Sequence, residues 1–242
     1  SVALTATGQA LLPEVLELLA RAQALPEHAR AAAAGELGRL RLAFVSTVGF
    51  ALLPQWLRGF RALYPQVRVE LTEATGDVQF QAFAGDEIDA GFMLHATGFA
   101  PAGLARHRIA QEPLVLALPE QHPLAAARVL MLDAVLAEPL VIFPRRIVPS
   151  LFDAIFALYH AAGHSPQVAQ EAIQMQTIVN LVSAGLGVAW VPESVRQFQR
   201  PGVVYRALGR QGAGGKGLAV PGCETSLVWR EGSLSPSLER FI

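Results

Sequence analysis

The stretch "LAFVSTVGFALLPQW", residues 42 to 56, contains an apolar run, the hydroxyl side chains of Ser46 and Thr47, and a second apolar run. Leu40, Leu42 and Phe44 alternate along the first run, which is typical of a β-strand with one buried face. Beyond the hydroxyls, apolar residues recur every three or four positions, which predicts a helix. Its apolar positions are Phe50, Leu53, Leu57, Phe60 and Tyr64. Ser46 and Thr47 therefore lie where a strand ends and a helix begins.

The alternation of strands and helices continues beyond this stretch and then repeats. Strands are predicted at "VRVEL", "DAGFM", "PLVLAL", "PLVIF", "QVAQEA", "GVAWVP", "GVVYRAL" and "TSLVW", and helices at "VQFQAFAG", "SLFDAIFALYHAAG", "MQTIVNLVSAG" and "SPSLERFI". Strand–helix–strand repeats favour a parallel sheet covered by helices on both faces. The sequence thus predicts an α/β fold of two similar lobes with a central cleft. The lobes should be joined by crossing strands near residues 105–112 and 202–208.

Residues 7–34 form an alanine-rich segment with its own periodicity. Apolar residues alternate steps of four and three at Leu11, Val15, Leu18, Ala22, Leu25, Ala29 and Ala32. This heptad spacing is typical of a helix that packs along a partner helix, although an amphipathic helix lying on its own domain has a similar pattern. Proline removes a helical hydrogen bond, so Pro26 should kink or end the helix near Leu25 and leave two helical pieces.

Composition excludes several functional classes. Charged residues make up 16% of the chain and the formal net charge is −1, which excludes nucleic-acid binding by a basic patch. Runs of about 18 apolar residues are absent, so we expect no membrane partner. Cys223 is the single cysteine and the six histidines are scattered, so neither a disulfide nor a metal site nor any cofactor is expected. The start has no signal-peptide pattern, which favours a cytoplasmic location.

No catalytic motif is present in its required context. The segment "GAGGKG", residues 212–217, spells G-x-G-x-x-G but neither follows a clear strand nor opens a helix, so we interpret it as a loop. Ser46 lacks the G-x-S-x-G context of a hydrolase nucleophile. Asp89 is expected to form a local turn hydrogen bond. The chain is therefore predicted not to be an enzyme.

The hydroxyl residues at the strand ends have two interpretations. Thr75, followed by Gly76, occupies the same place after the second strand that Ser46 and Thr47 occupy after the first. Ser and Thr commonly cap helices through their side chains. Helix N-termini at the carboxyl ends of strands also bind anions, and hydroxyls add donors without fixed charge. Both interpretations are open at this point.

An ordered set of motifs resembles the LysR-type transcriptional regulators. It begins with "VALTATGQALL" and "GELGRLRLAFVSTVGFALLPQWLRGFRALYPQVRVEL" and continues through "GDEIDAGF", "EPLVIFPRR", "NLVSAGLGVAWVPESV" and "SLVWREGSLSPSLERFI". The resemblance implies two Rossmann-like lobes of the type 2 periplasmic-binding-protein kind, preceded by a linker helix. It assigns residues 1–38 to the end of the wing and the linker or dimerisation helix. Lobe I is then expected at residues 39–107 and 206–242, and lobe II at residues 108–205.

The resemblance also implies an effector site between the lobes. One wall would carry the hydroxyls Ser46, Thr47 and Thr75. The opposite wall would carry Phe143, Pro144, Arg145, Arg146 and Gln174. The two arginines would either clamp a carboxylate through bidentate hydrogen bonds or form a solvated pair on a loop. The implied ligand is a small organic acid.

The remaining implications concern partners. Members of the family form homodimers or homotetramers, here through the helix of Trp56, Phe60 and Tyr64 and the helix of Asn180. Operator DNA would be bound only through a winged helix-turn-helix that precedes "VALTATG", so the chain as given should not bind DNA. RNA polymerase is a further partner of such full-length proteins. The alternative interpretation is a solute-binding protein of the periplasmic type, which shares the fold.

Overall fold

The computed structural model describes residues 3–50, 52–99, 101–208 and 218–242, and for Phe50 only the backbone. The α-helices are α1 (Ala6–Ala33), α2 (Leu52–Leu63), α3 (Gly76–Ala84), α4 (Leu132–Leu136), α5 (Pro149–Ala161), α6 (Met175–Ser183) and α7 (Pro236–Phe241). The strands are β1 (Leu37–Phe44), β2 (Gln66–Glu73), β3 (Ala90–Ala96), β4 (Leu104–Pro119), β5 (Leu140–Ile142), β6 (Val168–Glu171), β7 (Ala189–Pro192), β8 (Val203–Arg206) and β9 (Gly222–Arg230). Short 3-10 helices lie at Ser46–Phe50, Pro123–Ala125 and Glu193–Gln197.

The first group of strands has the order β2-β1-β3-β9-β4. β1 pairs in parallel with β2 along its whole length, from Leu37↔Gln66 to Phe44↔Glu73, and it pairs in parallel with β3 on its other side. The predicted parallel sheet is therefore confirmed for these three strands. β9 lies between β3 and β4 and pairs antiparallel with both, since the chain enters β9 at the end of the sheet where β3 finishes.

The second group of strands is built on the other half of β4. Residues Leu114–Pro119 of β4 pair antiparallel with β7 and β8. β5 pairs in parallel with β6 and is linked to the start of β7 by the bridge Leu140↔Val188. One strand therefore belongs to both groups and connects the two sheets.

Each group of strands has its own apolar core, and we call the two halves lobe I and lobe II. The lobe I core contains Leu40, Leu42 and Phe92 among its fully buried residues, and the lobe II core contains Leu116, Ile155 and Val191. The prediction of two α/β lobes is confirmed. Its exact residue bounds stay a prediction.

One of the two predicted crossing strands is in the wrong place. β4 covers residues 105–112 as expected, but β8 pairs with the lobe II half of β4 and packs against the lobe II core. β9 is instead the strand that lies in lobe I beside β4. Apolar alternation predicts that a segment is a strand, but it carries no information about which sheet an antiparallel strand joins.

Helix α1 is a single element of 28 residues that contains both Pro13 and Pro26. The prediction that the helix ends near Leu25 is wrong. A proline removes only one backbone donor, and the surrounding alanines have the highest helix propensity, so the hydrogen-bond ladder continues on both sides. None of its described side chains is buried, and Leu18 and Leu25 are 65% and 63% exposed. The apolar stripe of α1 thus has no cover within its own chain.

Two polar contacts connect distant segments. The Asp89 carboxylate accepts hydrogen bonds from the Arg41 backbone N–H and from Arg41 Nη2, both at 2.7 Å, and so ties the start of β3 to β1. The prediction of a local turn bond for Asp89 is wrong, because its partner lies 48 residues away. A local hydrogen bond is present at the end of the chain, where Ser235 caps α7 by accepting from the Leu238 N–H.

The glycine-rich segment that contains "GAGGKG" is predicted to be a loop over residues 209–223. Residues 209–217 lie outside the described residues, and Gly222 and Cys223 already belong to β9. In the part that the structure describes, no helix has the length and apolar character needed to span a membrane. Cys223 is fully buried at the second residue of β9, and burial raises the pKa of its thiol, so the thiolate form is disfavoured.

Gly187 is a position where the fold demands glycine. Its φ is +154°, and an added Cβ would lie 2.2 Å from the Pro139 carbonyl oxygen. We expect Gly187→Ala to lower the free energy of unfolding by about 3 kcal/mol or more, because the clash adds to the backbone strain. The matched control is Gly185→Ala, where φ is +81° but no atom lies within 4 Å of the added Cβ. That variant should lose only about 1–2 kcal/mol. Urea unfolding followed by circular dichroism measures both, and equal losses would contradict the steric explanation.

Candidate functional site

The hydroxyls of Ser46 and Thr47 lie at the carboxyl end of β1. The chain turns directly into the 3-10 helix there, and the Val45 N–H donates to the Phe92 carbonyl of β3 at 3.2 Å. Ser46 is 9% exposed and Thr47 is 8% exposed, so both side chains point inward. The hydroxyl of Thr47 is buried and has no hydrogen-bond partner among the described residues. Neither hydroxyl serves as a helix cap.

Thr75 stands at the equivalent position after β2. The Ala74 N–H donates to the Phe44 carbonyl at 3.0 Å, which holds the end of β2 against the end of β1. Thr75 is the N-cap residue of α3, but its side chain makes no capping hydrogen bond. Its hydroxyl instead donates to the Asp77 carboxylate. Of the two interpretations, capping is therefore excluded for Thr75.

The opposite wall comes from lobe II. Gln174 is the N-cap residue of α6 and also makes no side-chain capping bond, so the first N–H groups of α6 lack that partner. Phe143 follows β5 and is 4% exposed, and the turn in which the Ile147 N–H donates to the Pro144 carbonyl at 3.0 Å brings Ile147 and Val148 to the wall. The starts of α3 and α6 thus both border the space between the lobes.

These elements enclose a cavity of about 430 Å³, counting the part open to solvent. Its polar lining consists of Ser46, Thr47, Thr75 and Gln174. The apolar lining consists of Val45, Ala74, Leu94, Phe143, Ile147, Val148, Ile173, Met175 and Ile178. No lining residue is charged. The cavity can therefore solvate negative charge only through hydroxyls, an amide and backbone N–H groups, and it surrounds them with hydrocarbon.

Sequence comparison matches residues 33–242 to the family described as the LysR substrate binding domain. The chain belongs to the LysR family. It is 42% identical over 242 residues to the HTH-type transcriptional regulator IlvR of Caulobacter vibrioides, covering 100% of this chain and 78% of IlvR. It is 29% identical over 241 residues to the HTH-type transcriptional regulator AlsR of Bacillus subtilis, covering 100% of this chain and 76% of AlsR.

Solved structures of LysR regulators have the same fold. The crystal structure of CbnR, a LysR family transcriptional regulator, has a TM-score of 0.75 and 30% identity, over 99% of this chain and 79% of CbnR. The BenM effector-binding domain with its effector benzoate has a TM-score of 0.64 and 23% identity, over 84% of this chain and 90% of that domain. The predicted architecture, two lobes of the type 2 periplasmic-binding-protein kind, is confirmed, and the regulator interpretation is supported over the periplasmic alternative.

Three residues predicted for the effector site of this LysR chain lie outside the cleft lining. They are Pro144, Arg145 and Arg146. Arg145 forms a two-pronged ion pair with Asp153, with Nε–Oδ1 at 2.7 Å and Nη2–Oδ2 at 2.6 Å, and these hydrogen bonds lower the pKa of the Asp153 carboxyl. The Arg145 side chain is 63% exposed. Arg146 Nε lies 3.5 Å from Asp77 Oδ2. Both arginines thus correspond to the solvated interpretation and not to the carboxylate clamp.

The predicted subunit-contact residues differ in exposure. Phe60 is 6% exposed and its ring centroid lies 5.1 Å from those of Tyr64 and Phe241, so its side chain packs in the lobe I core, and its contact with another subunit stays a prediction. The 3.6-residue period of α2 placed it on the apolar face, and this face covers the lobe I core. Trp56 packs on Phe241 at 5.5 Å in the same core and is partly exposed, as is Tyr64. Asn180 is exposed on α6.

The sequence alone did not identify most of the apolar residues that line the cleft, nor the buried glutamine that holds the loop before Thr75 in place. Leu94 is next to the carboxyl end of β3, so the same strand-end rule that found Ser46 applies to it. Gln79 is fully buried, and its amide donates to the carbonyls of Ala74 (2.9 Å) and Phe92 (3.1 Å), which holds the loop before Thr75 against β3. Its carboxamide fills the space over Gly91, where an added Cβ would lie 2.1 Å from Gln79 Oε1. Nothing in "VQFQAFAG" distinguishes this glutamine from a surface residue.

The described residues contain no candidate metal-binding site. Across the described residues, no group of three His, Cys, Asp or Glu side chains is arranged to hold a metal ion. His164 Nε2 instead lies 3.5 Å from Asp133 Oδ1. The charge-free, hydroxyl-bearing cleft is suited to binding and orienting a ligand.

The unpaired hydroxyl of Thr47 leads to a stability prediction. Thr47→Val removes a buried hydroxyl that has no partner, so we expect the free energy of unfolding to stay equal or rise. Thr75→Val removes the hydrogen bond to Asp77 and should lose about 0.5–1.5 kcal/mol. Chemical denaturation of the ligand-free chain measures both variants. A loss for Thr47→Val as large as that for Thr75→Val would mean that the Thr47 hydroxyl is paired in the folded protein.

Proposed function

We propose that this LysR chain senses a small organic anion, bound in the cleft between the lobes, and transmits its presence to DNA binding. The observation that carries the proposal is the pair of inward-pointing hydroxyls at the end of β1. The side chain of Ser46 makes no hydrogen bond within the described chain, and the Thr47 hydroxyl is buried without a partner there. Because burying an unpaired polar group costs free energy, such a group at a cavity wall supports a ligand as its missing partner.

Negative charge on the ligand is favoured by the surrounding dipoles. The N-terminal ends of α3 and α6, with their N-cap residues Thr75 and Gln174, both border the cleft, and helix N-termini carry partial positive charge. The nearby carboxylate of Asp77 is held by the Thr75 hydroxyl and by Arg146, which reduces its repulsion of an anion. A carboxylate at this place would accept hydrogen bonds from Ser46, Thr47 and main-chain N–H groups.

The rest of the ligand should be apolar. Side chains of Phe143, Ile147, Ile178 and Met175 make up most of the opposite wall, and no arginine lines the cavity. A second carboxylate would therefore be buried among hydrocarbon without a counter-charge, which is costly. We expect a monocarboxylic acid with an aromatic or branched aliphatic body, in preference to a dicarboxylic acid.

Binding between two lobes provides a way to transmit the signal. The proposed ligand would contact Ser46 and Thr47 from lobe I and Gln174 and Phe143 from lobe II. A ligand that contacts both walls favours the arrangement in which the walls are close, and it shifts the population of lobe orientations by its differential affinity. Because α1 joins lobe I at β1, a shift of the lobes would change the direction of α1 relative to lobe II.

The proposal includes partners and location. The uncovered leucines of α1 support a homodimer or homotetramer formed along this helix, with α2 and α6 as further contacts. Operator DNA would be bound by a winged helix-turn-helix outside this chain, and RNA polymerase would contact the full-length protein. A cytoplasmic location and the absence of enzymatic activity remain predictions, which the transcriptional regulators among the relatives support.

Loss of a cleft hydroxyl should weaken effector binding. A thermal-shift screen of small carboxylic acids first identifies a ligand, and calorimetry then measures its affinity for the variants. We expect Ser46→Ala and Thr47→Val to weaken binding about tenfold, because a hydrogen bond to a charged group contributes roughly 1.5–3 kcal/mol. Thr75→Val should weaken it less, since the Thr75 hydroxyl must first leave Asp77.

The matched control for this experiment is Thr7→Val, which removes an exposed hydroxyl on α1 far from the cleft. It should leave affinity unchanged. Unchanged affinity for all three cleft variants would place the effector elsewhere. A dicarboxylic acid that binds more tightly than its monocarboxylic counterpart would contradict the expectation that the cleft wall, which has no charged side chain, disfavours a second carboxylate.

The α1 helix should drive self-association. We expect Leu18→Glu to weaken the dimer by at least tenfold, because it places a charge on the apolar stripe, while the melting temperature of the lobes stays unchanged. Sedimentation velocity over a range of protein concentrations measures the association. Arg21→Glu is the control, since Arg21 is an exposed residue of the same helix whose partner is the exposed Glu17. Equal effects of both variants would show that charge, and not the apolar stripe, governs association.

A further inference from the structure

A second cavity lies beside the effector cleft, on the other side of Ile147 and Val148. It encloses about 690 Å³, counting the part open to solvent, and is bordered by α3, the end of β3, Phe99, Pro101, Ala102 and the start of α5. Its apolar lining includes Phe80, Met93 and Phe99. Concave sites with mostly apolar walls and a few polar groups are typical of small-molecule binding. Neither the family assignment nor the proposed effector accounts for this space.

Two exposed aromatic rings mark this cavity. Phe80 is 44% exposed and Phe99 is 60% exposed, and both line the cavity. Every other phenylalanine whose side chain the structure describes is buried or half-buried. Exposed large apolar side chains that gather at one concave place are typical of a binding site. The rings therefore distinguish this cavity from an ordinary packing defect.

The polar groups in the wall are almost fully used by the protein itself. Both ring nitrogens of His95 are engaged, Nδ1 with the Ala96 carbonyl at 3.0 Å and Nε2 with the Ser226 hydroxyl at 2.9 Å. Burial lowers the pKa of His95, so the ring is neutral at pH 7. The Ser150 hydroxyl accepts the Ala96 N–H at 3.1 Å, and in the described chain its own proton has no acceptor. No charged side chain lines the cavity.

We infer that this cavity is a second ligand site, which takes a small neutral compound with an aromatic ring and one hydrogen-bond acceptor. The ring would pack between Phe80 and Phe99 above Met93, and the acceptor would receive the free proton of the Ser150 hydroxyl. The wall carries no charged side chain, so a neutral ligand avoids the cost of burying an unpaired charge. The first turns of α3 and α5 also border this cavity, and titration with benzoate decides between a neutral ligand and an anion. The site is thus complementary in chemistry to the effector cleft, where hydroxyls collect and charge is tolerated.

The two cavities share one wall and should influence each other. Val45, Leu94, Ile147 and Val148 line both. The lobes also touch here, since the Ala96 N–H of β3 donates to Ser150 of α5, and an added Cβ at Gly76 would lie 2.7 Å from the Ile147 carbonyl oxygen. A ligand that moves Ile147 and Val148 from one side changes the shape of the other cavity. We therefore expect each ligand to alter the affinity of the other.

The three methionines of the chain provide reporters for a direct test. Met93 lines the second cavity, Met175 lines the effector cleft, and Met131 is 50% exposed and lines neither. The chain is labelled with ¹³C at the methionine methyl groups, and its methyl spectrum is recorded during titration with benzyl alcohol, toluene and benzoate. We expect benzyl alcohol to shift the Met93 signal with saturation while the Met131 signal stays in place. Toluene should bind several-fold more weakly than benzyl alcohol, and benzoate should leave Met93 largely unmoved.

Substitutions decide whether the shift arises in this cavity. Phe80→Ala and Phe99→Ala should each weaken benzyl alcohol binding roughly tenfold, since each removes an aromatic face that the ligand would cover. Val78→Ala is the control, because Val78 is 48% exposed on the same helix and lies outside the cavity. All three side chains are exposed, so the variants should fold, and their melting temperatures verify this.

Several outcomes would overturn the inference, and they are separable from failure of the effector proposal. Benzyl alcohol that shifts Met175 alone belongs to the effector cleft. A Met93 signal that stays in place at millimolar probe, or an affinity unchanged in both phenylalanine variants, excludes the site. A Met93 signal that shifts with protein concentration and not with probe means that a second copy of the chain covers the rings. Loss of anion binding in the Ser46 and Thr47 variants, read at Met175, tests the effector cleft independently.

Discussion

The parallel pairing of β1 with β2 and β3 is the constraint on which the cleft depends. Eight consecutive residues of β1 pair in register with β2, so Phe44 and Glu73 end their strands side by side. The Ala74 N–H then donates to the Phe44 carbonyl and the Val45 N–H to the Phe92 carbonyl, which holds the ends of β1 and β2 beside the middle of β3. In a parallel sheet every carboxyl end points to the same edge, and the helices that follow begin there. The hydroxyls, the helix N-termini and the apolar wall meet at one place because of this register.

The cleft is organised by uncharged donors. A cation in the wall would bind many anions tightly and would need its own counter-ion when the cleft is empty. Hydroxyls and main-chain N–H groups avoid this requirement, and their fixed directions select for shape as well as charge. The charged side chains near the cleft are paired with one another, Arg145 with Asp153 and Arg146 with Asp77. This pairing keeps the surface neutral around the entrance, while Gln79 holds the Thr75 loop from behind.

The contacts between the two lobes explain how this fold can respond to a bound ligand. β4 runs through both sheets and connects them on one side, and on the cleft side the lobes meet through apolar and polar contacts. Leu94 and Ala96 of β3 belong to the same apolar cluster as Ile147 and Val148, and the Ala96–Ser150 hydrogen bond and the Asp77–Arg146 ion pair also join the lobes. We call this arrangement a hinge, because β4 is continuous between the lobes on one side while the cleft separates them on the other. A ligand that fills the cleft changes the relative position of the lobes. Two adjacent cavities sharing Ile147 and Val148 give this hinge two chemically different inputs.

Local pattern by itself determined the strands, most helices and the hydroxyls at the strand ends, because periodicity, caps and strand-end chemistry depend on neighbours within a few residues. Ser235 as the cap of α7 and Ser46 at the cleft are examples of this. Only the tertiary structure decided that β8 stays in lobe II, that Phe60 faces its own core, and that Arg145 is paired with Asp153 away from the cleft. It alone brought Gln79 over Gly91 and Phe80 beside Phe99. Those contacts join residues that are far apart in the chain or on different faces of one element, and their partners are chosen by packing, which no local pattern encodes.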